Sequence, residues 1–312
     1  MGKMITFAAV RKGKKMKGRS KGYLFAITAT LAMANVFVFS KAALNEVHII
    51  QFGVYWYLLG MVWLLIYLAL RRQLHMLKKI PRDQRLQLAL IGLLELGGTL
   101  FFFLAIQQME NPAMVSFLGN LTPLLITLMG VFFLHERYAP IEILGIVLTL
   151  AGAFMISYQP GGEEGWLREG AEWVFLSAVL YAVAFVMAKH SIEQLNPFLL
   201  TLNRLVFLWL FSVGALLVSG MSLAIPTKPL LNIVLGSFLG PFLAGLTNYS
   251  AIQYLEASRT SIITSSKGFF VLVGAFIYLG LVPQMWQVWG GILTVAGVVL
   301  ITLGKQMIKG KR

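Results

Sequence analysis

Gly145-Ile146-Val147-Leu148-Thr149-Leu150-Ala151-Gly152 is met again as Gly290-Gly291-Ile292-Leu293-Thr294-Val295-Ala296-Gly297, 145 positions further on. Each copy lies inside an apolar run of the length, about 20 residues, that a helix needs to cross the hydrocarbon core of a bilayer. A second echo has nearly the same spacing: Ala105-Ile106-Gln107-Gln108 returns as Ala251-Ile252-Gln253-Tyr254. The chain thus reads as two related halves.

Working outward, ten such runs are found, roughly at 22–44, 49–70, 86–106, 112–134, 139–157, 171–190, 197–219, 230–254, 260–281 and 285–304. They do not alternate as strands of a membrane barrel would. Five spans per half is an odd number, so the second half must sit inverted in the membrane. Inverted repeats are a structural signature of secondary transporters. The expected fold is an all-α integral membrane protein of ten transmembrane helices in two inverted five-helix repeats, 22–158 and 171–304. Basic tails, 1–21 and 305–312, flank them.

Composition agrees. Of 312 residues 58% are hydrophobic and only 12% charged, about half the charged share of a soluble domain. This excludes disorder and an ordinary soluble enzyme. The chain has no cysteine, which excludes disulfide scaffolds and thiolate metal sites. The formal net charge of +14 is explained by topology. If the N-terminus is cytoplasmic, twenty-one of the 26 Lys and Arg fall on the inner side. Lys41, Arg168 and Lys228 fall outside. By the positive-inside rule both termini are cytoplasmic, in an inner or plasma membrane. The basic tail from Arg11 to Arg19 then reads as an anchor on anionic lipid, not as a nucleic-acid site. It is not a cleavable signal, because its short apolar stretch precedes its charges.

The ordered set of motifs resembles the drug/metabolite transporter superfamily, of the EamA type, over roughly 22–304. Asn35-Val36-Phe37-Val38-Phe39-Ser40-Lys41 is similar to that family's first-span stretch ending in lysine. Leu121-Thr122-Pro123 resembles its mid-helix proline motif, His135-Glu136-Arg137 its Glu-Arg pair, and Arg204 its arginine near the start of span 7. Tyr254-Leu255-Glu256-Ala257-Ser258-Arg259 resembles its turn into span 9. Lys267-Gly268 departs from the pattern where the repeat would give a proline, and Leu281 replaces a second Glu. The resemblance implies a ten-helix carrier with a central cavity bounded by spans 1, 3, 4, 6, 8 and 9. It also implies export of an amino acid or similar small metabolite.

A charge in mid-membrane is costly and faces the protein interior. Glu95, Lys267 and Arg204 each lie about eight to ten residues into a span that starts at the inner face, so at about 1.5 Å per residue they share a layer. The spacing predicts that Lys267 meets Glu95, and that Lys267 or Arg204 receives an anionic group of the substrate. Glu95 or Lys267 could also carry a coupling proton. A structural ion pair, or an Arg204 snorkelling to the inner headgroups, is the alternative. Asn35, Asn120, Tyr181, Asn248 and Tyr249 are candidate cavity donors and acceptors, with helix-to-helix hydrogen bonding equally compatible. Gly97-Gly98, Pro123, Gly240-Pro241 and Lys267-Gly268 are expected to interrupt spans 3, 4, 8 and 9, where gating would occur.

No Gly-rich phosphate loop is present, and His48, His75, His135 and His190 are scattered. Neither an ATPase motor, a metal site nor another cofactor is therefore expected. The sequence reads as a secondary active transporter working by alternating access, with a small-molecule substrate and the lipid bilayer as partners. A non-transporting scaffold, a channel-like protein and a membrane-embedded enzyme are the rivals. Substrate, direction, coupling ion and oligomeric state are not legible.

Overall fold

The computed structural model describes residues 2–44, 46–77, 80, 82–108, 119–157, 170–192, 194–279 and 282–309. Among these the regular elements are helical. They are α1 (Gly2–Leu44), α2 (Ile49–Leu70), α3 (Arg85–Gln108), α4 (Leu121–Leu134), α5 (Pro140–Ser157), α6 (Ala171–Ser191) and α7 (Pro197–Ser219). Then follow α8 (Thr227–Ser237), a π-helical turn (Phe238–Ala244), α9 (Gly245–Tyr254), α10 (Ala257–Ser265), α11 (Lys267–Leu279) and α12 (Met285–Lys309). Six helical stretches are long and apolar enough to span a bilayer: Ile49–Leu70, Arg85–Phe102, Ala171–Ser191, Pro197–Ser219, Thr227–Tyr254 and Met285–Thr302. The fold is an all-α, multi-spanning membrane fold. Apolar side chains such as Phe132, Phe133, Leu217 and Val218 are exposed on its surface, as a lipid environment permits. α1 runs unbroken from Gly2 to Leu44. Arg168 and the Lys41 side chain lie outside the described residues.

Local chemistry sets several helix ends. Asn196 caps α7, its Oδ1 accepting from Leu199 N at 2.9 Å. Pro197 follows in the first turn, where a missing N–H costs nothing. Gly220 closes that helix with φ +63°, a conformation only glycine adopts freely.

The repeated stretch explains the most intimate packing in the molecule. α5 and α12 run antiparallel with their glycines facing. A Cβ at Gly145 would lie 2.8 Å from Gly297 O, and one at Gly152 would overlap Gly290 O. Thr149 and Thr294 sit between, fully buried. Each returns its hydroxyl to the carbonyl four residues back, on Gly145 and Gly290, at 2.8 Å. Small residues of this kind let membrane helices approach backbone to backbone. A side chain at this seam must push the two helices apart. Gly152→Val should cost about 1–3 kcal/mol by overpacking, read as a fall in the thermal midpoint of purified protein. Gly214, with nothing near its missing Cβ, is the matched control, and Gly214→Ala should leave the midpoint in place.

Other contacts are exchanged between the halves. α1 packs against α8, the π turn, α9, α10 and α11, while α6 packs against α3 and α4. The first helix of each half therefore docks mainly into the other half. The pair α2 and α7 and the pair α4 and α10 also bridge the halves.

Candidate functional site

Glu95 is buried on α3. Its carboxylate does not meet Lys267. The Tyr249 hydroxyl of α9 donates to Glu95 Oε1, and Arg204 Nε of α7 lies 3.5 Å from Oε2. The Lys267–Glu95 pairing expected from sequence is thus corrected: the matching cation comes from α7. A strand of hydroxyls continues from this knot. Thr99 Oγ1 donates to Glu95 O at 2.8 Å and lies 2.8 Å from the Tyr181 hydroxyl. Since Thr99 has one proton, Tyr181 is the donor of the second bond. Gly98 makes the room, because a Cβ there would come within 3.1 Å of the Tyr181 ring. Glu95, Arg204, Tyr249 and Tyr181 therefore form one connected polar centre drawing on both halves. Thr99, which completes it, carries no sequence signal beyond being one turn from Glu95.

Lys267 stands apart. It is half-buried at the first residue of α11. The preceding helix α10 ends at Ser265, with Ser266 as its cap, so the lysine sits at the junction of two short helices. No carboxylate and no hydrogen-bond partner is recorded for its ammonium among the described residues. Of the two mid-span cations, Arg204 is matched and Lys267 is not.

The remaining candidates divide. Asn248 carries a buried Oδ1 with no hydrogen-bond partner among the described residues. Asn120 instead braces two helices, its Nδ2 donating to Ala153 O of α5 at 3.2 Å. Asn35 is exposed and bonds back to Leu31 O of its own helix at 2.9 Å. Of the four expected interruptions, two coincide with breaks, and a third, Pro123, directly follows a turn at Asn120 that separates α4 from the helical Gly119. Gly240 and Pro241 lie in the π-helical turn, where Pro241 removes a donor, and Lys267-Gly268 opens α11. Gly97 and Gly98 do not interrupt α3, which is continuous; they admit Leu180 and Tyr181 of α6. Pro123 lies in the first turn of α4, where proline breaks no bond. A cavity of about 320 Å³ is lined by Ile80, Arg85, Leu88, Ala89, Asn203 and Phe207. It does not include the mid-span charges.

A second polar cluster lies at one end of the bundle. Arg259 of α10 is buried to 1% of its side-chain surface. It donates to both carboxylate oxygens of Glu142, an equally buried residue in the first turn of α5, at 3.1 and 2.9 Å. It also donates to Arg137 O at 3.2 Å and pairs with Glu256, which Arg19 of α1 reaches at 3.2 Å. Glu136 caps α10 from the other half of the chain. Its carboxylate accepts from Ala257 N at 2.8 Å, from Ser258 N at 3.3 Å and from the Ser258 hydroxyl. An anion there is favoured by the free N–H groups and the helix dipole. Lys189 of α6 meets the opposite need, donating to Ile252 O and Leu255 O at 2.6 and 2.8 Å at the end of α9. Sequence reading places these charges near loops and misses their convergence.

Burial pushes the Glu256 carboxyl up, but the neighbouring Arg259 and then Arg19 outweigh it and hold it below its usual 4.5. A carboxyl with a depressed folded value stabilises the fold above its unfolded value, and loses that contribution as pH falls through the folded one. The stability gap between wild type and Glu256→Gln should therefore be full at pH 6 and close below pH 4.5. Thermal unfolding across pH 3 to 7 reads this. A gap that widens on acidification would contradict it.

With this geometry in hand, comparison with known proteins is informative. A model of the EamA-like transporter family matches residues 20–158 and again 168–303. The chain belongs to the EamA-like transporter family. A transporter of unassigned substrate from Archaeoglobus fulgidus is 24% identical over 291 residues, covering 91% of this chain and 98% of that one. An S-adenosylmethionine/S-adenosylhomocysteine transporter from Chlamydia muridarum is 25% identical over 119 residues. That match spans 38% of this chain and only 37% of the relative. One solved structure superposes with a TM-score of 0.79 at 19% identity, covering 93% of this chain and 99% of that chain. That likeness shows the fold alone.

Proposed function

We propose that this chain is a secondary active transporter that carries a small organic metabolite with an anionic group, an amino acid or similar molecule, across the inner or plasma membrane. Alternating access of two inverted five-helix halves, ten spans in all, is the mechanism, with both termini in the cytoplasm and export as the working direction. The twofold family match and the exchange of first helices between halves support the two-repeat reading. The observation that carries the substrate class is the unmatched Lys267 at a helix break in mid-span. An ammonium held in a poorly hydrated site favours an anion that it can hydrogen-bond. The substrate named for the Chlamydia relative carries such a group, an α-carboxylate.

In this reading Glu95, Tyr249 and Arg204 form the polar wall of the site, with Tyr181 and Asn248 supplying neutral groups. Arg204 is neutralised by Glu95, so the site's net charge is that of Lys267. Coupling to a proton, exchanged on Glu95 or Lys267, belongs to the same reading. No cofactor or metal is required.

The test is counterflow in sealed proteoliposomes, using radiolabelled amino acids and S-adenosylmethionine as probes. Saturable uptake, accelerated by unlabelled substrate inside, is the expected result. Leak that neither saturates nor responds to internal substrate would favour a channel-like or scaffold protein instead.

A further inference from the structure

We propose that the Arg259 cluster is an ionic latch that closes the cytoplasmic end of the transport path, and that the repeat does not reproduce its Arg259–Glu142 pair on the outer side. The proposal rests on the transporter reading and its orientation, and adds the resting state of the cycle to it.

Three observations carry it. First, the latch joins the halves: Arg19, Glu136, the Arg137 carbonyl and Glu142 come from the first half, and Glu256, Ala257, Ser258 and Arg259 from the second. Second, Glu136 supplies the N-terminal cap of α10 across that boundary, so separating the halves here leaves the helix end uncapped and Glu142 buried without its cation. Third, the repeat spacing that relates Gly145 to Gly290 relates Glu142 to Gln287 and Glu136 to Leu281. The position matching Arg259 falls within Ala113-Met114-Val115 in any nearby register. Of the cluster, Glu256 has an acidic counterpart in sequence, Glu110 at the 146-residue spacing, whereas Arg259, Glu136 and Glu142 have no charged counterpart.

An inverted repeat with identical halves would weight its two closed states equally. Here one closed state has the buried, multiply bonded Arg259–Glu142 pair, and the repeat-matched positions of the other offer an amide, apolar residues and the lone acid Glu110 without that arginine. The substrate-free protein should rest closed to the cytoplasm, and each turnover must break the latch.

The cysteine-free sequence allows a direct measurement. Ser265 is buried on α10, about 9 Å beyond Arg259 along the helix. Ser265→Cys in vesicles of known orientation is treated from the cytoplasmic side with a membrane-impermeant maleimide. Labelling should be slow in this background. Adding Glu142→Gln keeps an acceptor for Ala139 N, now satisfied by Glu142 at 2.8 Å, but removes the charge, and should speed labelling by about tenfold or more. The exchange of charges in Arg259→Glu with Glu142→Arg should slow it again. If the Glu142→Gln protein fails to assemble, Glu256→Gln weakens the same latch from its partly exposed side and should give the same acceleration. Labelling as slow in the Gln variant that assembles as in the parent would overturn the latch and leave the cluster a static brace. The readout is access and not uptake, so it stands whether or not Lys267 binds substrate.

Discussion

Arg259→Met should be the most destabilising single substitution in the protein. Both partners of the Arg259–Glu142 pair are 1% exposed, so the arginine is matched in a place where neither charge reaches water. Removing one member of a buried pair leaves the other uncompensated, at a cost of about 3–5 kcal/mol. For a chain of this size that corresponds to a fall of about 5–8 °C in the thermal midpoint. Glu142 also accepts from Ala139 N, the reach-back of a helix capping arrangement, and Glu142→Gln retains that bond. The double variant Arg259→Met with Glu142→Gln should therefore regain more than half of the loss, because the stranded charge is gone and the cap remains. A double variant as unstable as the single one would show that packing around the guanidinium, and not charge, is what Arg259 contributes.

Lys267→Met should have the largest effect on transport. If the ammonium holds the substrate's anionic group, deleting it removes one side of a charge-assisted contact worth about 2–5 kcal/mol, a loss of about 30-fold or more in apparent affinity. The fold should be untouched, since no carboxylate is stranded by the change. Lys267→Arg should retain part of the activity, as a cation with different reach. Glu95→Gln should behave differently. It removes the carboxylate charge that faces Arg204, so a second cation joins the site and selectivity shifts toward more highly charged anions. Comparing uptake of monoanionic and dianionic probes separates the two roles.

Much of this was legible in the residues. The apolar runs mark the helices because burying backbone in lipid leaves few other solutions. The repeated stretches at 145–152 and 290–297 marked two related halves, and the structure turns both copies toward each other. Glu95, Arg204 and Lys267 announced themselves as charges inside apolar runs. Which cation would face Glu95 was not legible, because depth along a helix can be counted but rotation about its axis cannot. Arg204 and Lys267 lie at nearly the same depth, and only the packing of α3 against α7 decides between them. Pro123 and Pro241 look alike in sequence. One stands in the first turn of α4, just after the turn at Asn120, while the other sits within the π-helical turn. The latch was the least visible feature. Glu136, Glu142, Glu256 and Arg259 all stand near helix ends, where charges are ordinarily solvated, and nothing in their spacing says that they converge from two halves.

The central claim is that Lys267, unmatched at a helix break, makes this family member a carrier of small metabolites that bear an anionic group. Counterflow of labelled amino acids and S-adenosylmethionine, measured side by side in proteoliposomes of wild type and Lys267→Met, tests it most directly. The account predicts saturable exchange in the wild type and a loss of about 30-fold or more in apparent affinity in the variant, with both proteins equally folded. Equal exchange in the two would contradict it.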